Sequence, residues 1–217
     1  MRAKPGKRVR ISPVVLGAGG AKRFGRNKLA AEIPSPAVTM PQHLLASLRP
    51  FLFHHFCPPF LLVTNTVPSQ PCAFSRDWQI VPNPSWQEGL SRSLRYALQA
   101  IPPHLSDGCI VFLADMPLVH LSTVHTLLDH ATRFPGHFIR PYSHGIPGFP
   151  VFLPSWSFAP LLQLSGDKGA LSLIKKHPNK SIAIRGTFHC AWDVDRPEDM
   201  LRLEQHLKGI RAHKKKQ

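Results

Sequence analysis

Acidic side chains are scarce in this chain. Its 217 residues hold 12 Asp and Glu against 27 Lys and Arg, a net charge of +15. That balance argues against cationic partners and for anionic ones: nucleotides, phosphorylated small molecules or nucleic acid. Part of the excess is terminal. Residues 1–10 carry five Lys or Arg, and Lys214, Lys215 and Lys216 close the chain. These read as solvated ends. The aromatic-interleaved basic patches of single-strand binders are also missing, so nucleic acid is not the expected partner. Cysteine is sparse. Cys57, Cys72, Cys109 and Cys190 show no Cys-x-x-Cys spacing, which argues against a zinc ribbon or redox pair and fits reduced thiols in a cytoplasmic protein. The 13 histidines are scattered, with no i, i+4 ligand pair. Long apolar runs are missing too. Phe51 to Val63 is the longest, and His54, His55, Pro58 and Pro59 interrupt it, so no membrane span is expected. The basic N-terminus has no apolar core before a small-residue site, unlike a signal peptide.

What is present suits a globular protein: 43% hydrophobic residues, with 23 prolines implying short elements and many loops. The length accommodates one well-packed domain. We expect a basic flexible arm at 1–10, a single domain at 11–208 and a basic tail at 209–217.

The chain is organised around residues 13–29. Val14, Val15 and Leu16 form an apolar run of strand length. Gly17, Gly19, Gly20 and Gly25 follow, interleaved with Lys22, Arg23, Arg26 and Lys28. A buried strand entering a glycine-rich cationic loop suits a polyphosphate: backbone N–H groups form a nest and the side chains add full charge. Two familiar phosphate motifs fail here. After Gly20 and Gly25 a Walker loop needs Lys-Ser/Thr, but Arg26-Asn27 stands there. The dinucleotide fingerprint fits Gly17 and Gly19, then meets Lys22.

Further on, Thr39 is placed to cap a helix near Pro41 with Leu44, Leu45 and Leu48 inside. Strands are expected at 60–64, 79–81 and 109–113. Between the last two, Leu90, Leu94, Ala97, Leu98 and Ile101 recur at helical spacing from about Glu88 or Gly89. The start of that helix suits an anion or ribose, or simple capping by Ser85 or Ser91. Asp115 ends the 109–113 strand, in Leu113-Ala114-Asp115-Met116-Pro117. Carboxylates at strand C-termini carry chemistry in open α/β sheets, though Asp115 could equally cap the next helix, marked by Val124, Leu127, Leu128 and Ala131. Strands at 137–142, 148–153 and 181–184 follow. Asp167 is placed to cap a helix reaching about His177. A last helix starts near Pro197, with Asp195 as either its N-cap or a ligand. The alternation predicts an α/β fold.

Leu16-Gly17-Ala18-Gly19-Gly20-Ala21-Lys22-Arg23-Phe24-Gly25-Arg26-Asn27-Lys28 resembles the signature Leu-Ala-Ala-Gly-x-Ser-x-Arg-Met-Gly-x-x-Lys of MobA-like nucleotidyltransferases. Gly17 stands where that signature has alanine, and Ala21 where it has serine. Five more stretches resemble the same family in the same order. Asn83 to Leu94 is similar to Asn-x-x-Trp-x-x-Gly-Met/Leu-x-x-Ser-Leu of the molybdenum cofactor cytidylyltransferase branch. Ala114-Asp115-Met116-Pro117 resembles its metal motif. Gly148-Phe149-Pro150-Val151-Phe152 matches an acceptor motif, with Phe149 replacing a polar residue. Ser165-Gly166-Asp167-Lys168-Gly169-Ala170 matches another signature, with Leu171 replacing an arginine. Asp193-Val194-Asp195 heads a stretch similar to Asp-Ile-Asp-Thr-Pro-Glu-Asp-Leu. The family's Leu-x-Pro-Leu-Gly-Gly-Lys-Pro-Leu segment has no counterpart between Ala30 and Met40.

The resemblance implies a three-layer α/β/α Rossmann-like domain with a mostly parallel open sheet, of the nucleotide-diphospho-sugar transferase type. It implies transfer of a nucleoside monophosphate from CTP or GTP, CTP first, to a molybdopterin-type acceptor, with pyrophosphate released; the alternatives are another phosphorylated acceptor, such as a sugar phosphate or phospholactate, and a non-catalytic nucleotide- or nucleic-acid-binding protein of the same fold. Catalysis would fall to Arg23, Lys28 and Asp115. Nucleotide binding would fall to Leu16, Gly17, Ala18, Gly19, Gly20, Asn83, Gly89, Ser91 and Ser93. Gly148, Pro150, Ser165, Gly166 and Asp167 would hold the acceptor. Asp115 and Asp195 would hold Mg²⁺, or Mn²⁺ in its place. A molybdoenzyme or chaperone is a conceivable recipient of the product.

Overall fold

The structure, a computed structural model, describes residues 9–18, 32–33, 38–65, 77–163 and 169–214. Strand β1 (Ile11–Gly17) lies at its centre and is buried along its whole length. Helix α1 (Met40–His55) follows β1 in the described chain, after a two-stranded ribbon of β2 (Glu32–Ile33) and β3 (Val38–Thr39). Thr39 caps α1 as expected. The Gln42 N–H donates to Thr39 Oγ1 at 3.4 Å and the Thr39 N–H donates to Gln42 Oε1 at 2.8 Å, a reciprocal capping box. Strands β4 (Leu61–Thr64) and β5 (Gln79–Pro82) extend the sheet on one side of β1. Helix α2 (Leu90–Ala100) then carries the chain back to β6 (Gly108–Leu113) on the other. The direction of growth therefore reverses at β1, and such a switch leaves a crevice beyond the carboxyl ends of the strands.

Helix α3 (Leu121–Arg133) leads to β7 (Phe138–Ser143), β8 (Ile146–Pro147) and β9 (Val151–Pro154). Short helix α4 (Phe158–Leu162), α5 (Gly169–Lys176), β10 (Ser181–Arg185) and α6 (Pro197–Lys214) complete the chain. The main sheet has the order β10-β7-β9-β6-β1-β4-β5. The pairs among β6, β1, β4 and β5 are parallel, as is β7 with β10, and β9 is antiparallel to both its neighbours. The expected connection at 143–147 is in fact a tight hairpin. His144 (φ 50°) and Gly145 (φ 79°) turn left-handed, and β8 folds back on β7. Helix α6 runs on to Lys214, past residue 208.

The period-two pattern of β1 feeds two cores, which makes the molecule three-layered. Ile11 and Val15 pack with Leu44, Leu45 and Leu48 of α1 and with Val124, Leu127 and Leu128 of α3. Val14 and Leu16 pack on the opposite face, with Leu94, Ala97 and Leu98 of α2 and Leu173 of α5. A smaller cluster joins Leu203 and Leu207 of α6 to Ile33, Met40, Leu118 and Val194. No helix is long and apolar enough to cross a membrane, among the described residues. Cys57, Cys109 and Cys190 are free thiols.

A pH response follows from the turn at Phe188–Ala191. His189 lies against His206 of α6, the rings tilted at 59° with 4.8 Å between centroids, beside Phe188. Burial, and then the nearness of His206 and His120, lower its pKa. The unfolded chain therefore binds more protons than the folded one as pH falls below the ordinary histidine value, and stability is lost in that direction. Melting temperature is expected to fall by a few degrees from about pH 7.5 to about pH 5.5. His189→Asn should flatten that fall, and an equal fall in the variant would assign the response elsewhere.

Candidate active site

Three strand ends meet at the crevice. Leu16 and Leu113 are paired in register, as are Gly17 and Thr64. The Ala114 N–H donates to Leu16 O at 3.0 Å, so Asp115 leaves β6 beside the end of β1. The strand ends pack closely here: a Cβ at Gly17 would lie 3.2 Å from Val63 O and 3.4 Å from Ala114 Cβ.

Asp115 does not cap α3. That helix begins after His120, whose ring Nδ1 accepts from the Ser122 N–H. Instead, the Asp115 carbonyl accepts a hydrogen bond from the Val194 N–H at 2.9 Å. Asp193-Val194-Asp195 is thereby fastened alongside Asp115, so the two acidic positions far apart in the chain become neighbours. At the start of α6, Asp199 Oδ2 accepts from the N–H groups of Arg196, at 2.9 Å, and Asp195, at 3.2 Å. Asp115 and Asp195 are both half-buried. Such a pair of hard oxygen donors fits an ion that takes one or two carboxylates and completes its shell with phosphate oxygens and water. No cluster of three or more metal-ligating side chains occurs among the described residues.

Beside β1, Gly89 supplies the N-cap position of α2 at φ 98°, a conformation glycine adopts without strain, and no side chain caps the helix. The N-cap position thus belongs to Gly89 and to neither Ser85 nor Ser91. Asn83 and Ser93 are 0% exposed. Asn83 Nδ2 donates to Ser93 Oγ at 3.0 Å, Ser93 Oγ donates to Ala18 O at 3.3 Å, and the Ser85 N–H donates to Asn83 Oδ1 at 3.0 Å. Through these bonds Ser93 ties α2 to Ala18, where the chain leaves β1.

On the other flank, the Gly148 N–H donates to Pro141 O at 2.8 Å and the Phe149 N–H to Cys190 O at 2.7 Å. Pro150 follows a cis peptide and is buried. Gly19, Gly20, Arg23, Lys28, Ser165, Gly166 and Asp167 lie outside the described residues.

One site residue escaped the sequence reading. Arg140 of β7 reaches into a cavity of about 190 Å³ bounded by Leu16, Leu94, Val111, Phe149, Val151 and Leu171, among others. Its Nε–H donates to Gly148 O at 3.1 Å, and its guanidinium lies 5.7 Å from the Phe149 ring centroid. Burial lowers its pKa. The available signal was a cation between Ile139 and Pro141 in an otherwise apolar strand.

Residues 13–181 match the family model described as the MobA-like NTP transferase domain. Comparison with curated proteins returns no significant match. Among solved structures, Rv0371c from Mycobacterium tuberculosis H37Rv is 25% identical, with a TM-score of 0.71 over 91% of this chain and 99% of that one. The same protein in complex with manganese aligns at a TM-score of 0.67 and 24% identity, over 91% and 99%. Molybdopterin-guanine dinucleotide biosynthesis protein A from Archaeoglobus fulgidus is 16% identical, with a TM-score of 0.63 over 92% and 100%. Its likeness is one of fold. With the central strand, the crevice and the acidic strand end all inside the matched span, the chain belongs to the MobA-like NTP transferase domain family.

Proposed function

We propose that this protein transfers a nucleoside monophosphate from a nucleoside triphosphate, CTP first and GTP second, to a molybdopterin-type acceptor and releases pyrophosphate. The observation that carries the reading is the Val194 N–H bond to the Asp115 carbonyl, which draws both acidic segments to the end of β1. Such transfer asks little covalent chemistry of the protein; it asks for in-line positioning and neutralised charge. Leu16 to Gly20 cradle the triphosphate with main-chain N–H groups, and the uncapped start of α2 at Gly89 faces the ribose. Arg23 neutralises the leaving pyrophosphate and Lys28 the α-phosphate. Asp115 and Asp195 hold a divalent ion, Mg²⁺ or Mn²⁺, which when bound supplies positive charge to the phosphate oxygens. The manganese complex of Rv0371c supports that ion class. The family and the reduced thiols suit a cytoplasmic enzyme.

A second acceptor reading has its own support. A pterin carries many hydrogen-bonding groups, and burying them without partners is costly. The cavity beside Phe149 offers almost none, which favours another phosphorylated or anionic acceptor. The deciding assay incubates the protein with CTP or GTP and Mg²⁺, with and without molybdopterin, and measures pyrophosphate. We expect release that depends on acceptor and metal, and faster with CTP. No release with either nucleotide and any acceptor tried would overturn the transferase reading.

A further inference from the structure

Val14 pairs with Val111 and Val111 with Val151, while Ile139 pairs with Phe152, which brings Arg140 opposite Val151. These four positions form one row across the sheet. On the α2–α5 side Val111, Val151 and Arg140 of this row line the cavity, and every residue lining it except Arg140 is apolar. A guanidinium in such surroundings loses hydration, and among the described residues no carboxylate compensates it. Its orientation is fixed from behind by the Gly148 carbonyl and from the side by the Phe149 ring.

A ligand with a short apolar body and one anionic group satisfies both features. Its methylenes remove apolar surface from water, and its anion makes charge-assisted hydrogen bonds to the fork. The cavity also adjoins the nucleotide cradle, since Leu16 of β1 and Leu90 of α2 both line it. Arg140, however, sits deeper than the acidic edge: its row crosses β6 at Val111, two residues before that strand ends. Its anion is therefore remote from the reacting centre. Two walls, Phe149 and Leu171, are positions where the sequence replaces polar residues of the family pattern with apolar ones.

We infer that this cavity is the acceptor pocket, and that Arg140 selects an acceptor with a short apolar body and an anionic group at the end away from the attacking oxygen. The inference rests on the second acceptor reading above. The acceptor's near end supplies a hydroxyl or phosphate oxygen, which forms the bond to the α-phosphorus. The bond from that phosphorus to the bridging oxygen breaks, pyrophosphate leaves with the electron pair, and a hydroxyl's proton passes to water.

Binding can be measured without turnover. Full-length protein is titrated calorimetrically with hexanoate, hexyl phosphate, hexanol and hexylammonium. At least one anion is expected to bind about tenfold or more tightly than hexanol and hexylammonium. Hexanoate alone would mark the group as carboxylate, hexyl phosphate alone as phosphate. Arg140→Met should remove the preference. Leu171→Trp, at a rim position 41% exposed and so tolerant of change, should weaken anion binding about tenfold. CTP binding, titrated separately, should persist in both variants and shows that they are folded. Equal binding of hexanoate, hexyl phosphate and hexanol, no binding of any probe, or an unchanged preference in Arg140→Met would overturn the inference. Anion selectivity without pyrophosphate release from any acceptor would leave the pocket standing and count against the transferase.

Discussion

Asp115→Asn is expected to reduce metal-dependent pyrophosphate release about a thousandfold, which corresponds to roughly 4 kcal/mol of transition-state stabilisation. Asparagine keeps the size and shape of the side chain but removes the negative charge that attracts a divalent ion. The architecture that brings Asp195 close depends on the main chain of residue 115, because its carbonyl accepts the Val194 N–H. That bond is indifferent to the substitution. The main-chain tether therefore survives in the variant, and its melting temperature reports what the half-buried side chain itself contributes to stability. Nucleotide affinity measured without metal should hardly change. Retained activity in the folded variant would remove Asp115 from the chemistry. A large drop in melting temperature would show instead that the carboxylate is structural.

What sequence could and could not foretell divides along the distance between partners. Thr39 and Gln42 are three residues apart, so the cap on α1 was readable, and the buried run Val14 to Leu16 announced β1. The five-residue α4, interrupted by Pro160, carries too little periodicity to be seen. Nor does any local pattern show that β9 runs antiparallel between β6 and β7, since that follows from pairing across the sheet. The site behaves in the same way. Asp115 was recognisable from its place at a strand end, but its union with Asp195 depends on one long-range backbone bond. Asn83 and Ser93 were legible as a polar motif, whereas their bonds to each other and to Ala18 join residues 10 and 75 positions apart. Arg140 acquires meaning only once Phe149 and Gly148 stand beside it.

Gly148→Ala is expected to damage the protein more than any comparable single-methyl change. A Cβ at Gly148 would come within 2.7 Å of Cys190 Sγ and closer still to the Cys190 carbonyl. The obstacle is main chain, so no rotamer relieves it, and the two segments must separate. Such overpacking costs about 1–3 kcal/mol, and melting should fall by roughly 3–10 °C for a chain of this size. The loss spreads in two directions. The Gly148 carbonyl steadies Arg140, and the Cys190 carbonyl receives the Phe149 N–H four residues before Val194 reaches Asp115. Acceptor binding and metal-dependent turnover should therefore both decline. Gly136→Ala serves as the control, because a Cβ there meets nothing within 4 Å. Adding Cys190→Ala to Gly148→Ala should restore little, since the thiol is the lesser obstacle. Full rescue by that second change would place the conflict in the sulfur and not in the carbonyl. Equal melting of the two glycine variants would mean that the strand and the Cys190 turn part without cost, and that they do not hold the acceptor flank in position.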